Sequence, residues 1–319
     1  MTFPLSQKRV LVTGSNGFVG RNLVPHLAAV GCELFTPTRK EYDLMDQHQV
    51  RAMFRDIQPE VVFHLAAYVG GILANRDFPA DFCYRNMILV SHTLHEAWSA
   101  GVQKFVGVMG GCSYPATAPS PIREDALWTG YPQPESAPYS LAKAMGHELA
   151  KAYRKQHGFN AIVLVPGNVY GPWDNFDLQA SHVIPALIRK YVEANETGAA
   201  EITAWGTGAP KRDFVYIDDV CRGLVRAAEV YEGADLINIS SGTRVTIREL
   251  VETIADLAGF RGNIGWDSTK PDGQMDKGFD VTRMKELLGF ECTTSLRDGV
   301  ASTMEWFKAN RSAALREVA

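Results

Sequence analysis

Cysteine is scarce and scattered. Cys32, Cys83, Cys112, Cys221 and Cys292 are the only five, and no two stand in C-x-x-C spacing. That pattern argues against a disulfide framework and against a zinc site, so no metal is expected, and it fits a reducing cytoplasm. Long apolar runs are missing too: none approaches the roughly 20 residues that a membrane-spanning helix needs. The first nine residues, Met1 to Arg9, are too polar for a signal peptide and run straight into an apolar segment. Charge of one sign is also lacking. With 32 basic against 36 acidic side chains, the net charge of −4 gives no electrostatic basis for general nucleic-acid binding.

What remains is ordinary for a globular enzyme. Hydrophobic residues make up 46% and charged residues 21% of 319 positions. That length allows one large α/β unit or two modest ones around a sizeable core.

The N-terminal half alternates strand and helix signals. Arg9-Val10-Leu11-Val12-Thr13 is a short apolar run of the kind buried in parallel sheets. Gly14-Ser15-Asn16-Gly17-Phe18-Val19-Gly20 follows, and then a helical pattern through Leu23, Leu27 and Val30 that stops at Gly31. Glycines between a strand and a helix let the backbone approach a pyrophosphate at the helix N-terminus. Further strands are expected at 33–36, 61–65, 104–109 and 161–165, with helices at 86–100 and 139–157 between them. Strands alternating with helices imply a Rossmann-type, doubly wound parallel α/β sheet. Beyond the second strand the chain reads Pro37-Thr38-Arg39-Lys40, where a basic residue suits the 2′-phosphate of NADP better than the bare ribose of NAD. NADP is therefore the expected cofactor, with NAD as the alternative. Asp43 is a candidate adenine-side contact.

Ala137-Pro138-Tyr139-Ser140-Leu141-Ala142-Lys143 carries a Tyr and a Lys one helical turn apart. Such spacing alone usually marks an ordinary helix face. If the ammonium lies near the phenol it favours the phenolate, so the Tyr139 pKa is expected to fall. A Tyr tuned that way can exchange a proton with a sugar or steroid oxygen near neutral pH.

The glycine spacing and Tyr139-x-x-x-Lys143 together resemble the extended short-chain dehydrogenase/reductase family. Longer segments narrow the resemblance to the GDP-L-fucose synthase branch: Val69-Gly70-Gly71-Ile72-Leu73-Ala74-Asn75, Tyr170-Gly171-Pro172-Trp173-Asp174-Asn175-Phe176, Ser181-His182-Val183-Ile184-Pro185, Trp205-Gly206-Thr207-Gly208, Lys211-Arg212-Asp213-Phe214 and Lys270-Pro271-Asp272-Gly273. That family converts GDP-4-keto-6-deoxy-D-mannose to GDP-L-fucose by inverting C3 and C5 and reducing C4 with NADPH. The resemblance implies a Rossmann domain over 1–168. A smaller α/β substrate-binding lobe follows mainly over 169–319, with some segments returning to the sheet. It implies Tyr139 as the proton donor to the C4 oxygen, Lys143 as its partner on the nicotinamide ribose, Cys112 as the epimerisation thiol and His182 as its acid/base partner. Thiols and imidazoles both titrate near neutral pH, which suits that task.

Cofactor contacts are implied at Gly14, Asn16, Gly17, Phe18, Val19, Gly20, Arg39, Asp43, Leu65, Ala66, Ala67, Lys143, Pro166, Asn168 and Val169. GDP-sugar contacts are implied at Asn168, Lys190, Trp205, Arg212 and Lys277. A homodimer through the helices at 86–100 and 139–157 is the family's usual assembly.

Two positions depart from the family pattern. Asn16 stands where some members carry a basic residue toward the 2′-phosphate. Gly110 stands where the family has a Ser or Thr beside the catalytic Tyr, and Ser113 is expected to point away on an extended segment. Losing one oxyanion donor typically costs about 10²–10³ in kcat. Three enzymatic readings are compatible with Gly110: reduction with Tyr139 alone, epimerisation of a related nucleotide keto-sugar with little reduction, or action on a keto-sugar whose oxygen sits differently. A non-catalytic cofactor-binding protein is the reading from another class, and the joint presence of Tyr139, Lys143, Cys112 and His182 speaks against it.

Overall fold

The computed structural model describes residues 3–178, 181–270 and 272–315. Met1, Thr2 and Pro271, which figured in the sequence motifs above, lie outside the described residues.

The chain begins β1 (Arg9–Thr13), α1 (Phe18–Val30), β2 (Glu33–Phe35), α2 (Gln47–Ile57), β3 (Val61–His64), α3 (Ile72–Asp77), α4 (Pro79–Ser99), β4 (Lys104–Val108), α5 (Ala137–His157) and β5 (Ala161–Pro166). It continues β6 (Asn168–Tyr170), α6 (Val183–Thr197), β7 (Glu201–Trp205), β8 (Lys211–Tyr216), α7 (Ile217–Val230) and β9 (Ile237–Ile239). The last part holds β10 (Arg244–Thr246), α8 (Ile247–Ala258), β11 (Asn263–Asp267), β12 (Asp276–Lys277), α9 (Thr282–Leu288) and α10 (Leu296–Ala309).

Six strands form a parallel sheet in the order β2-β1-β3-β4-β5-β9, as the strand–helix alternation implied. Alternate side chains of each strand feed opposite faces. Leu11, Val62, Phe105 and Val163 join one core with Val50, Met53 and Phe54 of α2 and Leu94 of α4. Val10, Val12, Val61, Phe63, Val106 and Leu164 join the other with Leu23 and Leu27 of α1 and Val220 and Leu224 of α7. Burial on both faces explains why these strands read as continuous apolar runs. The chain leaves β1 toward β2 on one side and returns to β3 on the other, so the carboxyl ends of β1 and β3 flank the switch point where such sheets bind ligands.

A third core lies beyond the sheet, built from Ile184, Ile188 and Tyr191 of α6, Leu250, Val251 and Ile254 of α8, and Val300, Met304 and Phe307 of α10. Helix α8 starts sharply because Thr246 and Glu249 form a capping box, each satisfying the other's backbone N–H. Helix α4 starts at Pro79, before the expected 86, with the proline in its first turn where no N–H is needed.

One buried carboxylate fastens this region to the sheet's edge. Asp213 of β8 accepts from the Ser241 hydroxyl at 2.6 Å, the Gly242 N–H at 3.2 Å and the Phe279 N–H at 3.4 Å. Strand β12 runs parallel to β8 and puts Lys277 level with Arg212. Among the described residues no helix is long and apolar enough to cross a membrane.

Candidate active site

The switch point holds the glycine loop. Gly14 has φ +71°, and a Cβ there would stand 2.6 Å from the Ala66 nitrogen, so only glycine fits this turn. The Leu65 N–H donates to the Thr13 carbonyl at 3.1 Å, and the Ala66 N–H to the Thr13 hydroxyl at 3.3 Å, which fixes residues 65–67 beside the loop. Helix α1 follows with Gly17 as its N-cap, no side-chain cap and no acidic residue in its first turn. Its first N–H groups and the positive dipole end therefore face the loop without an internal acceptor. That donor set fits a pyrophosphate, as a Rossmann dinucleotide requires. Asn16, Phe18 and Val19 lie in this turn, and Gly20 abuts the Gly14 carbonyl so closely that a side chain there would collide.

Arg39 lies beyond β2 with 74% of its side chain exposed, held only by a 3.4 Å contact to Asp43. Asp43 is tied down further, its carboxylate accepting from the Met45 N–H at 3.0 Å and its own N–H donating to Gln49 Oε1 at 2.9 Å. The acidic candidate thus braces the basic one.

Tyr139 and Lys143 share one face of α5, where both are half-buried. The Phe82 ring of α4 meets the Tyr139 ring edge-on at 6.2 Å. The expected fall in the Tyr139 pKa is not found. Burial raises it, with charge on Cys112 adding in the same direction, because desolvation penalises the phenolate more than the helix spacing helps it. Burial acts on Lys143 in the opposite sense and lowers it to about 8. Lys143 also borders a cavity of about 20 Å³ shared with His64 and His147. His64, whose Nδ1 lies 2.9 Å from the Thr13 hydroxyl, is held neutral by burial first and by Lys143 second, at about 3.

Beyond β4 the chain forms a single 3₁₀ turn, Gly111–Ser113. Ser113 is therefore not on an extended segment, contrary to expectation; it is buried, and its hydroxyl has no partner among the described residues. The two glycines before Cys112 differ. A Cβ on Gly111 would stand 2.5 Å from the Phe279 ring, so that ring seals the turn from below. Gly110 has an ordinary φ of −78°, and a Cβ there would stand 3.2 Å from Cys112 Sγ and 4.0 Å from Tyr139 Oη. The position that carries a hydroxyl in the resembled family thus lies between the thiol and the phenol. Lys277 is half-buried and close enough for charge on Cys112 to act on it; desolvation lowers its pKa, and that charge opposes the fall.

His182 is the N-cap residue of α6, without a side-chain cap bond, and among the described residues no hydrogen bond or ion pair joins it to Cys112 or Tyr139. Its Nδ1 lies 3.6 Å from Asp174 Oδ1, and 78% of its side chain is reached by solvent although protein surrounds it at longer range. The facing Asp174 carboxylate raises its pKa, with partial desolvation opposing. Asp174 was quoted in the Tyr170–Phe176 motif but given no role. It sits eight residues before His182 in an irregular loop, so no periodic signal connects the two.

The remaining candidates line the edge of β8 and the lobe beyond it. Asn168 donates to the Asp213 carbonyl at 2.7 Å, Pro166 ends β5 beside Ile239, and Val169 pairs with Val215. Arg212 donates to the carbonyls of Lys211 at 2.8 Å and Gln274 at 2.6 Å, and burial lowers its pKa against Asp276 and Asp272. Lys190 donates to the Thr203 carbonyl, one residue pair from Trp205. Trp205 is 73% exposed at the end of β7, with the Lys270 ammonium 5.6 Å from its ring centre. An exposed indole rimmed by cations suits a flat, anionic ligand. Among the described residues no His, Cys, Asp and Glu cluster could hold a metal.

Known proteins resemble this chain in sequence and fold. Residues 10–240 match the NAD dependent epimerase/dehydratase family. The sequence is 42% identical to GDP-L-fucose synthase 1 of Arabidopsis thaliana over 95% of this chain and 94% of the plant protein. It is 38% identical to the GDP-L-fucose synthase of Escherichia coli strain K12 over 96% and 98%. The crystal structure of a GDP-L-fucose synthetase from Naegleria fowleri bound to NADP superimposes with a TM-score of 0.89 at 27% identity, covering 99% of this chain and 98% of that one.

Proposed function

The chain belongs to the NAD dependent epimerase/dehydratase family, among the GDP-L-fucose synthases, and we propose that it converts GDP-4-keto-6-deoxy-D-mannose to GDP-L-fucose with NADPH. The observation that carries this reading is the approach of Cys112 Sγ and Tyr139 Oη to one point, the Gly110 position. A thiol for epimerisation and a phenol for reduction need the same sugar carbonyl between them.

The C4 ketone acidifies the protons on C3 and C5. Cys112 and His182 exchange those protons from opposite faces: one takes a proton, the other returns one, and the configuration inverts. Tyr139, whose raised pKa keeps its proton in place, holds that proton for the later reduction rather than for the enolate oxygen formed between these steps. Lys143 and Lys277 supply positive charge beside it. NADPH, when bound, supplies a hydride to C4. Tyr139 then gives its proton to the C4 oxygen. Residues Gly14 to Gly20 hold the pyrophosphate, Arg39 the 2′-phosphate and Lys143 the nicotinamide ribose. Arg212 and Lys190 take the GDP phosphates, and Trp205 stacks on the base. We read the protein as a cytoplasmic homodimer. Exposed Met87 of α4 and Met145 of α5 support a docking face on these helices, and five unpaired thiols support the compartment.

A second reading, epimerisation of a related nucleotide keto-sugar with little reduction, is favoured by Gly110. Incubation with GDP-4-keto-6-deoxy-D-mannose in D2O separates the two. Deuterium at C3 and C5 together with NADPH oxidation supports the full reaction. Deuterium without oxidation leaves the epimerase alone. Absence of both signals removes the first reading and leaves another keto-sugar substrate or a non-catalytic cofactor-binding protein.

Cofactor choice is tested at Arg39. Arg39→Ala should raise the KM for NADPH by about tenfold or more, the worth of one charge-assisted hydrogen bond, and leave the KM for NADH unchanged. Equal changes for both cofactors would show that Arg39 does not meet the 2′-phosphate.

A further inference from the structure

The loop between β6 and α6 holds its residues more firmly than a connection needs. Trp173 has φ +70°, a conformation that costs a bulky side chain free energy and persists only where its surroundings impose it. Its ring lies 4.3 Å from the Arg21 guanidinium on one side and 4.9 Å from the Trp306 ring on the other. The Asn22 side chain donates to the Pro172 carbonyl at 2.9 Å. Arg21 also donates through Nε to the Asn16 carbonyl at 2.8 Å, inside the glycine loop. Contacts therefore run from the pyrophosphate cradle through Arg21 and Trp173 to Asp174, the next residue.

Asp174 is an unusual residue to bury. Only 3% of its side chain is exposed. Oδ1 accepts from the Asn175 N–H at 2.8 Å and faces His182 Nδ1, while Oδ2 has no partner among the described residues. A half-satisfied buried carboxylate is costly unless a cation offsets it. The charged group it faces is His182, and among the described residues Asp174 is the charged group that acts on that imidazole.

We propose that Asp174 is the positioning residue for His182, fixing the Nδ1–H tautomer so that Nε2 faces the sugar, and that the Arg21–Trp173 clamp ties this pair to the seating of the dinucleotide. The carboxylate favours the imidazolium over the neutral ring, so His182 stays an acid to higher pH than an isolated histidine. Asp174 itself touches no substrate. The inference rests on the epimerisation reading for its purpose, but not for its physical content.

The test uses NMR titration of imidazole-labelled protein, with the His182 signal assigned through His182→Gln, alongside deuterium exchange into C3 and C5 across pH. In Asp174→Asn the His182 midpoint moves to lower pH, and the exchange limb that belongs to it moves the same way. Exchange at neutral pH falls roughly tenfold to a hundredfold, part of what a well-placed general acid contributes. Asp174→Glu keeps the charge and retains the raised midpoint. An unmoved midpoint in Asp174→Asn with an otherwise native spectrum overturns the assignment. So does a lowered midpoint in Asp174→Glu, which also serves should the Asn variant not fold. A moved midpoint in a protein that shows no exchange sinks the epimerase reading and leaves the pair standing. Saturating NADP+ perturbs the His182 signal in the wild type and not in Arg21→Leu. Equal responses in the two proteins overturn the clamp.

Discussion

Tyr139→Phe is expected to lower NADPH oxidation by about 10³-fold, within the range that a positioned proton donor supplies. Deuterium exchange at C3 and C5 should continue. The substitution removes one oxygen and keeps the ring that packs edge-on against Phe82, so the helix face and the Cys112 turn stay in place. Loss of exchange together with oxidation would mean that the phenol serves both halves of the reaction and that the proposed division is wrong. The pH profile carries the same logic. Burial holds the Tyr139 proton on through the neutral range, so no descending limb belongs to it there. Lys143, lowered to about 8, loses its charge as pH rises through that value. The reductase rate should therefore fall above about pH 8, and Lys143→Arg, whose guanidinium does not deprotonate, should remove that limb.

Gly110→Ser is expected to raise the rate of NADPH oxidation by about 10²-fold, the lower end of what one oxyanion donor is worth. The position has an ordinary backbone angle and lies near Tyr139 Oη, so a hydroxyl there can share the C4 oxygen with the phenol. Cys112 Sγ, at 3.2 Å from the new Cβ, must shift by a few tenths of an ångström. Gly110→Ala imposes the same crowding without a donor and should bring no gain. Equal rates for the Ser variant and the wild type would show that the oxygen is already fully stabilised, with Lys277 the leading candidate for that role. A gain with Ala as well would trace the effect to packing.

The sheet was legible because parallel strands covered on both faces must be apolar throughout. The runs at Val10–Val12, Val61–Phe63 and Ile162–Val165 left little else to be. Strands β6, β10 and β12 were not legible. They are two or three residues long, each carry at least one polar side chain, and owe their shape to pairing with β8 rather than to local preference. In the site, spacing could place Tyr139 beside Lys143 on one helix face, but it carries no measure of burial. The sign of the Tyr139 shift was misread for that reason. Asp174 escaped because an irregular loop, bent at Trp173, brings it back to His182. The closeness of Gly110 to Tyr139 is a contact between β4's exit and α5, which the sequence resemblance anticipated and local pattern alone does not hold.

The seam between Gly111 and Phe279 has a consequence for how the protein comes into being. Strand β9 ends at Ile239, so the six-stranded sheet and its glycine loop are complete once about three-quarters of the chain has emerged from the ribosome. The floor of the Cys112 turn is not. It waits for Phe279, for the Asp213 bonds that hold that residue, and for Lys277 beside it. A nascent chain halted after β9 holds every residue of the sheet and the glycine loop, but not the ring that closes the thiol turn. The order of the chain is thus the order of the two sites: the residues of the cofactor cradle come first, and the floor of the thiol turn arrives with the last quarter.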